Sequence, residues 1–283
     1  TDPVTLACHT MATRFELVLH GANPVALRSA GEEAIAEIER LGRALSFYDP
    51  SSQISRVNAR AFHEPVVVEP VVFELLQHAI RLGAETRGAF DITIGPLMQA
   101  WGLAGDGGRV PSARELAEAR RCVGVGHIVS NPANFTIRFT RPGVQIDLGA
   151  IGKGFAIERA AEILRELGVR SALIHGGTST VCAIGAPPGA KAWNIAIDQP
   201  GPPAATGQPP AAPLSIVPLC NSSLSVSAVW GKSFTIDGRT YGHVIDPRTG
   251  KPVRRAQLAA VVTRSAAESD AFSTALLTLG PAG

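Results

Sequence analysis

Apolar residues first repeat with the period of a strand and then with that of a helix. Residues 4–19 alternate, with Phe15, Leu17 and Leu19 on one side, which predicts a strand or hairpin. The spacing over 24–45 predicts a helix, and a second helix is expected over 70–87, closed by Gly88. Between them we expect a long polar loop over 46–58 and a short strand over 66–68.

The rest of the chain mixes strands and helices without a strict alternation. Ser112 and Glu115 form a capping box at the start of a short helix, and Asp237 and Gly238 favour a hairpin over 234–241. Further helices are predicted from the glycine-rich turn 149–154 to Gly168 and over 267–279. Strands are predicted over 127–130, 135–139, 144–148, 171–175, 193–197 and 258–263. This order of elements predicts an α+β fold.

No internal repeat or composition shift divides the chain, so we predict one continuous domain over 1–283. The Pro/Ala-rich stretch 201–213 lacks periodicity and is expected to be a surface insertion.

The composition excludes several classes of protein. A hydrophobic content of 45% in 283 residues allows a large buried core. The net charge of +2 gives no reason to expect a nucleic acid as partner. No apolar run approaches the roughly 20 residues that span a bilayer, and no signal peptide is visible at the N-terminus. The four cysteines are scattered; we expect isolated buried thiols, with Cys8 in a strand and no zinc site.

Lys153 lies between two glycines where a helix is predicted to begin. Free backbone N–H groups, the helix dipole and the ammonium group there could face a phosphate. The spacing does not match the nucleotide-triphosphate P-loop. A phosphate cradle and a tight turn with a solvated lysine both stay open.

Asp270, Ser273 and Thr274 are three and four residues apart on the last predicted helix, so they share one face. Their oxygens are of the kind that Mg²⁺ binds, although Asp and Ser near a helix start more often cap it. His243 is predicted to share a strand with Asp246 and could accept a hydroxyl proton, or it could be structural. Asp91 could face a cleft or organise its turn.

Taken together, these segments resemble the ApbE family of FAD:protein FMN transferases over nearly the whole chain. The matching segments are MAT (11–13), SFYDP (46–50), SRVN (55–58), GAFDIT (88–93), DLGAIGKGF (147–155), GG (176–177), HVIDPRTG (243–250) and DAFST (270–274). The resemblance implies an ApbE-like fold of mixed, largely antiparallel sheets packed with helices. The series is far more specific than any single motif.

The resemblance also implies roles for individual residues. The implied FAD contacts are Met11, Tyr48, Ala89, Phe90, Asp91, Asp147, Lys153 and Ile245. Magnesium would be held by the Ala150 carbonyl, Asp270 and Thr274, with Ser273 where some relatives supply a second carboxylate. The acceptor protein's Ser or Thr hydroxyl, within a flavinylation motif, would attack the FMN phosphorus with AMP leaving. His243 is the candidate that helps to remove the hydroxyl proton.

The sequence departs from the family pattern at a few positions, among them Ala12, where glycine is usual. The chain also ends at Gly283, where we expect relatives to continue. An Mg²⁺-dependent FAD pyrophosphatase and a non-catalytic flavin-binding protein stay open as alternatives. The resemblance implies the bacterial cell envelope as location, with a membrane-associated acceptor as one possible partner.

Overall fold

The structure, a computed structural model, describes residues 2–105, 107–199, 212–229 and 233–283. Within these ranges the α-helices are α1 (Pro24–Ala44), α2 (Gln53–Arg60), α3 (Pro70–Glu85), α4 (Gly95–Ala100), α5 (Ala113–Arg121), α6 (Gly152–Glu166) and α7 (Ala266–Leu279). The β-strands in the same ranges are β1 (Val4–Thr10), β2 (Thr13–His20), β3 (Val66–Val67), β4 (Ile128–Asn131), β5 (Thr136–Phe139), β6 (Ser171–Gly176), β7 (Thr180–Ile184), β8 (Trp193–Ile197), β9 (Ser215–Leu219), β10 (Ser222–Ala228), β11 (Ser233–Ile236), β12 (Arg239–Gly242), β13 (Ile245–Asp246), β14 (Lys251–Pro252) and β15 (Leu258–Thr263). The predicted insertion at 201–213 lies almost wholly outside the described residues.

The chain folds into two compact units, each assembled from three stretches. Unit 1 comprises Thr1–Leu41, Lys153–Trp230 and Gln257–Ser273. Unit 2 comprises Gly42–Gly152, Gly231–Ala256 and Thr274–Gly283. The stretches interleave along the sequence, which is why no linker marks a boundary. The assignment of 1–283 to one continuous domain stays a prediction.

Unit 1 is organised around a six-stranded sheet in the order β1-β2-β6-β7-β10-β15, in which every neighbouring pair is antiparallel. Phe15, Leu17 and Leu19 are fully buried on one face, as their alternation predicted. Helix α1 packs closely on that face, because a Cβ at Gly31 would lie 2.6 Å from the Leu6 side chain. The hairpin β8–β9 packs on the opposite face through Ile197 and Leu219.

Unit 2 contains the three-stranded antiparallel sheet β3-β5-β4 and the short hairpins β11–β12 and β13–β14. Its core includes Ile54 and Val57 of α2, Leu75 and Leu76 of α3, and Ile137 of β5. The predicted α+β class with largely antiparallel sheets is therefore confirmed. None of the helices in the described ranges has both the length and the apolar character needed to cross a membrane.

The predicted loop over 46–58 is wrong in its second half, which forms α2. The Ser52 hydroxyl caps this helix by accepting a hydrogen bond from the Ser55 N–H at 2.9 Å. Ile54 and Val57 are three residues apart and both are buried, so the helix has an apolar side. Two apolar positions among polar ones were too weak a pattern to predict it.

The strand predicted over 144–148 is also wrong, although its apolar residues are alternately buried. The backbone of Ile146 instead pairs with the Asn58 side chain, through an Nδ2–O distance of 2.9 Å and an N–Oδ1 distance of 2.7 Å. The Asp147 N–H donates to the Ile92 carbonyl at 2.8 Å. An extended segment can thus satisfy its backbone without joining a sheet.

The prediction of isolated buried thiols holds for two of the four cysteines. Cys8, in β1, and Cys182 are buried, whereas Cys122 is half-buried and Cys220 is exposed. Burial raises the pKa of the Cys8 thiol to about 11. No three His, Cys, Asp or Glu side chains in the described part of the chain converge to hold a metal. That finding leaves the predicted magnesium site untouched, because the site contains one carboxylate.

Candidate functional site

Asp270 is a buried carboxylate at the fifth position of α7, with 4% of its surface exposed. Its Oδ2 accepts a hydrogen bond from the Gly154 N–H in α6 at 3.0 Å, and its Oδ1 accepts one from the Thr180 hydroxyl in β7 at 3.4 Å. The cap of α7 is a different residue, Ser265, whose hydroxyl accepts from the Glu268 N–H at 3.1 Å. Asp270 is therefore held by neighbouring elements and does not cap its own helix.

Helices α6 and α7 approach each other closely at Gly154. A Cβ there would lie 2.2 Å from the Ala266 carbonyl oxygen and 2.7 Å from the Asp270 Cβ, so only glycine fits. Four residues further along α6, the Glu158 carboxylate accepts a hydrogen bond from the Ala267 N–H at 3.1 Å. The start of α7, which carries Asp270, is thus fixed from α6.

Buried hydroxyls continue the polar contacts of Asp270 into the interior of unit 1. The Ser225 hydroxyl lies 3.0 Å from that of Thr180 and 3.1 Å from that of Ser269. Sequence reasoning did not single out these three residues. The available signal was a row of serines at alternate positions of β10, which places Ser223 and Ser225 on the same, buried face.

Ser273 and Thr274 follow Asp270 on α7, as the spacing predicted. The Ser273 hydroxyl donates to the Asp270 carbonyl at 3.0 Å and lies 2.8 Å from the Ser227 hydroxyl. Thr274 is half-buried, one turn beyond Asp270. A carboxylate offers about four lone-pair positions, and the bonds from Gly154 and Thr180 use two of them. The donor chemistry of Asp270 and Thr274 fits Mg²⁺, which binds few protein oxygens and keeps several waters.

In unit 2, Asp91 is buried and organises its own turn. Its Oδ1 accepts hydrogen bonds from the Thr93 N–H at 2.8 Å and the Thr93 hydroxyl at 2.5 Å, and its Oδ2 accepts from the Val125 N–H at 3.2 Å. Burial raises the pKa of the Asp91 carboxyl, and the bonds from Thr93 and Val125 oppose that shift. Ala89 and Phe90, which precede it, are buried in the core.

The structure places Asp147 and Tyr48 near this turn. The bond from the Asp147 N–H to the Ile92 carbonyl joins the two segments, and the Asp147 Oδ1 accepts from the Gly149 N–H at 2.8 Å. Tyr48 is 66% exposed; partial burial, followed by the charge of Asp147, raises the pKa of its phenol. Unit 2 thus gathers residues from three of the predicted flavin-contacting segments.

The segment 243–250 has a different local structure from the one predicted. His243 lies half-buried before β13, so it does not share a strand with Asp246. Ile245, two residues further along, is buried and packs with Leu97 and Trp101. The two carboxylate oxygens of Asp246 accept from the Arg248 guanidinium at 2.9 and 3.0 Å. The Asp-Pro and Thr-Gly pairs form the turn that follows β13, whereas His243 lies outside that strand at its other end.

Two residues that the sequence did not single out hold this turn. The Trp101 indole N–H donates to the Gly250 carbonyl at 2.7 Å, and the Arg120 guanidinium donates to the Arg248 carbonyl at 2.6 Å. Both partners are more than 100 positions away along the chain, so local patterns carry no signal for them.

The other predicted site residues lie in turns or at a helix start. Met11 and Ala12 form the β1–β2 turn in left-handed backbone, with φ of 50° and 55°. Ala150 lies in the turn before α6, and Lys153 is the second residue of that helix. Lys153 therefore immediately precedes Gly154, the residue whose N–H binds Asp270.

Comparisons with known proteins match one family along nearly the full length of this chain. The model of the ApbE family matches residues 11–283. The FAD:protein FMN transferase of Klebsiella pneumoniae (strain 342) is 28% identical over 277 residues, which are 96% of this chain and 77% of that protein. The FAD:protein FMN transferase of Treponema pallidum (strain Nichols) is 31% identical over 268 residues, 90% of this chain and 72% of that protein.

Solved structures agree with these sequence matches. The ApbE protein from Thermotoga maritima superposes with a TM-score of 0.87 at 28% identity, covering 98% of this chain and 87% of that one. The apo form of the Pseudomonas stutzeri flavinyl transferase ApbE gives a TM-score of 0.84 at 30% identity, covering 99% and 85%. The resemblance that the sequence motifs indicated is confirmed.

Proposed function

The chain belongs to the ApbE family, and from that premise we propose that it is an FAD:protein FMN transferase. It moves FMN from FAD to a Ser or Thr hydroxyl of an acceptor protein and releases AMP. Curated relatives in several bacteria have the name of this activity, and their matches extend over nearly all of this chain.

The observation that carries the proposal is the buried Asp270 carboxylate, held by α6 and β7 with Thr274 one turn away. We assign Asp270 and Thr274 as ligands of Mg²⁺, with the Ala150 carbonyl and Ser273 as further candidates. Mg²⁺ would neutralise charge on the pyrophosphate of FAD, the contribution that metal ions make to phosphoryl transfer.

The residues of unit 2 are assigned to the flavin nucleotide. Tyr48, Asp91 and Asp147 belong to connected segments, as the hydrogen bond between the Asp147 N–H and the Ile92 carbonyl indicates. We place the other FAD contacts as the family resemblance implies, at Met11, Ala89, Phe90, Lys153 and Ile245. Because the Ala89 and Phe90 side chains are buried, their contribution is to shape the site and to position Asp91.

In the reaction, the acceptor hydroxyl oxygen forms a bond to the FMN phosphorus, and the bond from that phosphorus to the bridging oxygen of AMP breaks. The hydroxyl proton must leave as the new bond forms, and His243 is the residue that we assign to receive it. The acceptor is a protein with a flavinylation motif, and a membrane-associated acceptor in the bacterial cell envelope is the setting that we propose.

The test combines the purified chain with FAD, Mg²⁺ and an acceptor domain that carries the motif. Mass spectrometry would detect the covalent FMN adduct, and chromatography would detect AMP. Asp270→Ala is expected to lower the rate of adduct formation by at least about 100-fold, because it removes the charged metal ligand. Asp198→Ala, an exposed aspartate of unit 1, is the matched control and should retain activity.

Each alternative predicts a different outcome. AMP and free FMN without adduct would identify an FAD pyrophosphatase, in which water replaces the acceptor hydroxyl. Bound FAD without any product would identify a flavin-binding protein. Transfer that persists with EDTA, or in Asp270→Ala, would contradict the metal assignment.

A further inference from the structure

The hydroxyls of Ser269, Ser225 and Thr180 form a chain that ends at the predicted metal ligand. Ser225 and Thr180 lie directly opposite each other in the antiparallel pair β10–β7, so their side chains project from the same face of the sheet. The distances along the chain are 3.1 Å from Ser269 to Ser225, 3.0 Å from Ser225 to Thr180 and 3.4 Å from Thr180 to Asp270. All four side chains are buried.

Each hydroxyl has one proton, and this sets the direction of hydrogen-bond donation along the series from Ser269 to Asp270. A carboxylate only accepts hydrogen bonds, so Thr180 must donate its single proton to Asp270. Because that proton is used, Thr180 is the acceptor in its contact with Ser225, which donates. The Ser225 proton is then used in turn, so Ser225 is the acceptor in its contact with Ser269. The Ser269 proton is shared with the Ala266 carbonyl, 3.0 Å away. Each hydroxyl thus polarises the next toward the carboxylate.

The geometry of a carboxylate explains what such a chain can do. Rotation about the Cβ–Cγ bond of aspartate is soft, so one hydrogen bond leaves the plane of the carboxylate poorly fixed. In Asp270 the Gly154 N–H holds Oδ2 and the Thr180 hydroxyl holds Oδ1. Two bonds to different oxygens fix the plane and therefore the direction of the remaining lone pairs.

We propose that Thr180 and Ser225 are positioning residues for Asp270, which set the orientation of its carboxylate toward the divalent cation. This inference rests on the proposed function, because it needs Asp270 to be a metal ligand. Partners that orient a metal-binding side chain often change metal affinity by about 10- to 100-fold when they are removed. A merely structural role predicts a loss of stability with unchanged metal affinity.

The experiment titrates the full chain with Mn²⁺ in the presence of FAD and without acceptor, and measures free Mn²⁺ by electron paramagnetic resonance. Thr180→Val keeps the shape but removes the hydroxyl, and we expect its Mn²⁺ dissociation constant to rise about tenfold. Thr180→Ser restores the hydroxyl and should recover most of that affinity. Ser225→Ala should have a smaller effect in the same direction, since it acts through Thr180.

Ser223→Ala is the matched control, because Ser223 is a buried serine on the same strand and the same face as Ser225. Its Mn²⁺ affinity should equal that of the wild type. If Thr180→Val fails to fold, comparison of Ser225→Ala with Ser223→Ala tests the same inference.

Asp270→Ala separates the two possible failures. Loss of Mn²⁺ binding in this variant, with unchanged binding in Thr180→Val and Ser225→Ala, would overturn the positioning role and leave the proposed function intact. Unchanged Mn²⁺ binding in Asp270→Ala would overturn both the positioning role and the assignment of Asp270 as a metal ligand. Equal affinities of Thr180→Val and Thr180→Ser, both weakened, would also contradict the hydroxyl chain.

Discussion

Unit 1 and unit 2 hold their predicted site carboxylates in different ways. In unit 2, Asp91 and Asp147 each accept a hydrogen bond from the backbone N–H two residues further along, both at 2.8 Å. Such local bonds define a turn. In unit 1, Asp270 accepts from Gly154 and Thr180, which are 116 and 90 positions away. Unit 2 places its carboxylates mainly through local turns, with one distant bond from Val125 to Asp91, and unit 1 places Asp270 through tertiary packing.

This difference predicts which substitutions should disturb the carboxylates of each unit. A carboxylate held by tertiary packing depends on the close contact of the elements around it, so changes in the packing should act on stability and site together. A carboxylate held by its own turn depends on a few local bonds, so changes there should have smaller and more separable effects.

Gly154→Ala should have the largest effect. The added Cβ would lie 2.2 Å from a backbone oxygen of α7, which cannot rotate away as a side chain can. We expect a loss of about 3 kcal/mol in the free energy of unfolding, as for other overpacked interiors. Urea denaturation followed by circular dichroism would measure this loss. Weaker Mn²⁺ binding should accompany it, because the Gly154 N–H also holds Asp270.

Gly126→Ala provides the comparison for that variant. A Cβ at Gly126 meets no atom within 4 Å, so this change should alter the free energy of unfolding by less than about 0.5 kcal/mol. Equal losses in both variants would mean that the α6–α7 contact is no tighter than an open turn.

Asp91→Asn tests the local kind of site. The asparagine oxygen can still accept from Thr93, but its NH₂ group would then face the Val125 N–H, a pair of donors. We expect a loss of about 1 kcal/mol in the free energy of unfolding at pH 7. Burial raises the pKa of the Asp91 carboxyl above its ordinary 3.8, so the native state binds the proton more tightly than the unfolded state.

The sign of the pH dependence follows from that shift. The contribution of Asp91 to stability is fully present below pH 3.8 and is lost as the pH rises through the raised pKa. The difference in the free energy of unfolding between the wild type and Asp91→Asn should therefore grow as the pH falls from 7 toward 4. Urea denaturation over a pH series would measure it. Hydrogen bonds from Ser51 lower the pKa of exposed Asp49. The difference in the free energy of unfolding between the wild type and Asp49→Asn should therefore shrink as the pH falls over the same range. A deficit for Asp91→Asn that shrinks toward pH 4 would contradict the shift.

The contrast between local and long-range contacts also explains which features the sequence could predict. The periodicity of α7 predicted its helix within one residue at its start, and its Asp270, Ser273 and Thr274 fell on one face. Turn chemistry likewise pointed to Asp91. The pairing of Asn58 with Ile146, 88 positions apart, has no local signature. The alternating serines of β10 indicate a shared face, but nothing local indicates that the hydroxyl of Ser225 connects to Asp270 through Thr180. Roles in binding FAD came only from the family resemblance and stay predictions.

The smallest expected effect comes from the β1–β2 turn, where Ala12 has a left-handed backbone conformation. Its φ of 55° disfavours a side chain by about 1–2 kcal/mol, whereas glycine costs about 0.5–1 kcal/mol of extra chain entropy. Ala12→Gly should therefore stabilise the protein by about 0.5 kcal/mol in urea denaturation. Ala133→Gly, in a turn of unit 2 without that backbone, should destabilise it by a similar amount. If both variants lose stability equally, the left-handed turn of unit 1 carries no strain, and turns in the two units obey the same local rule.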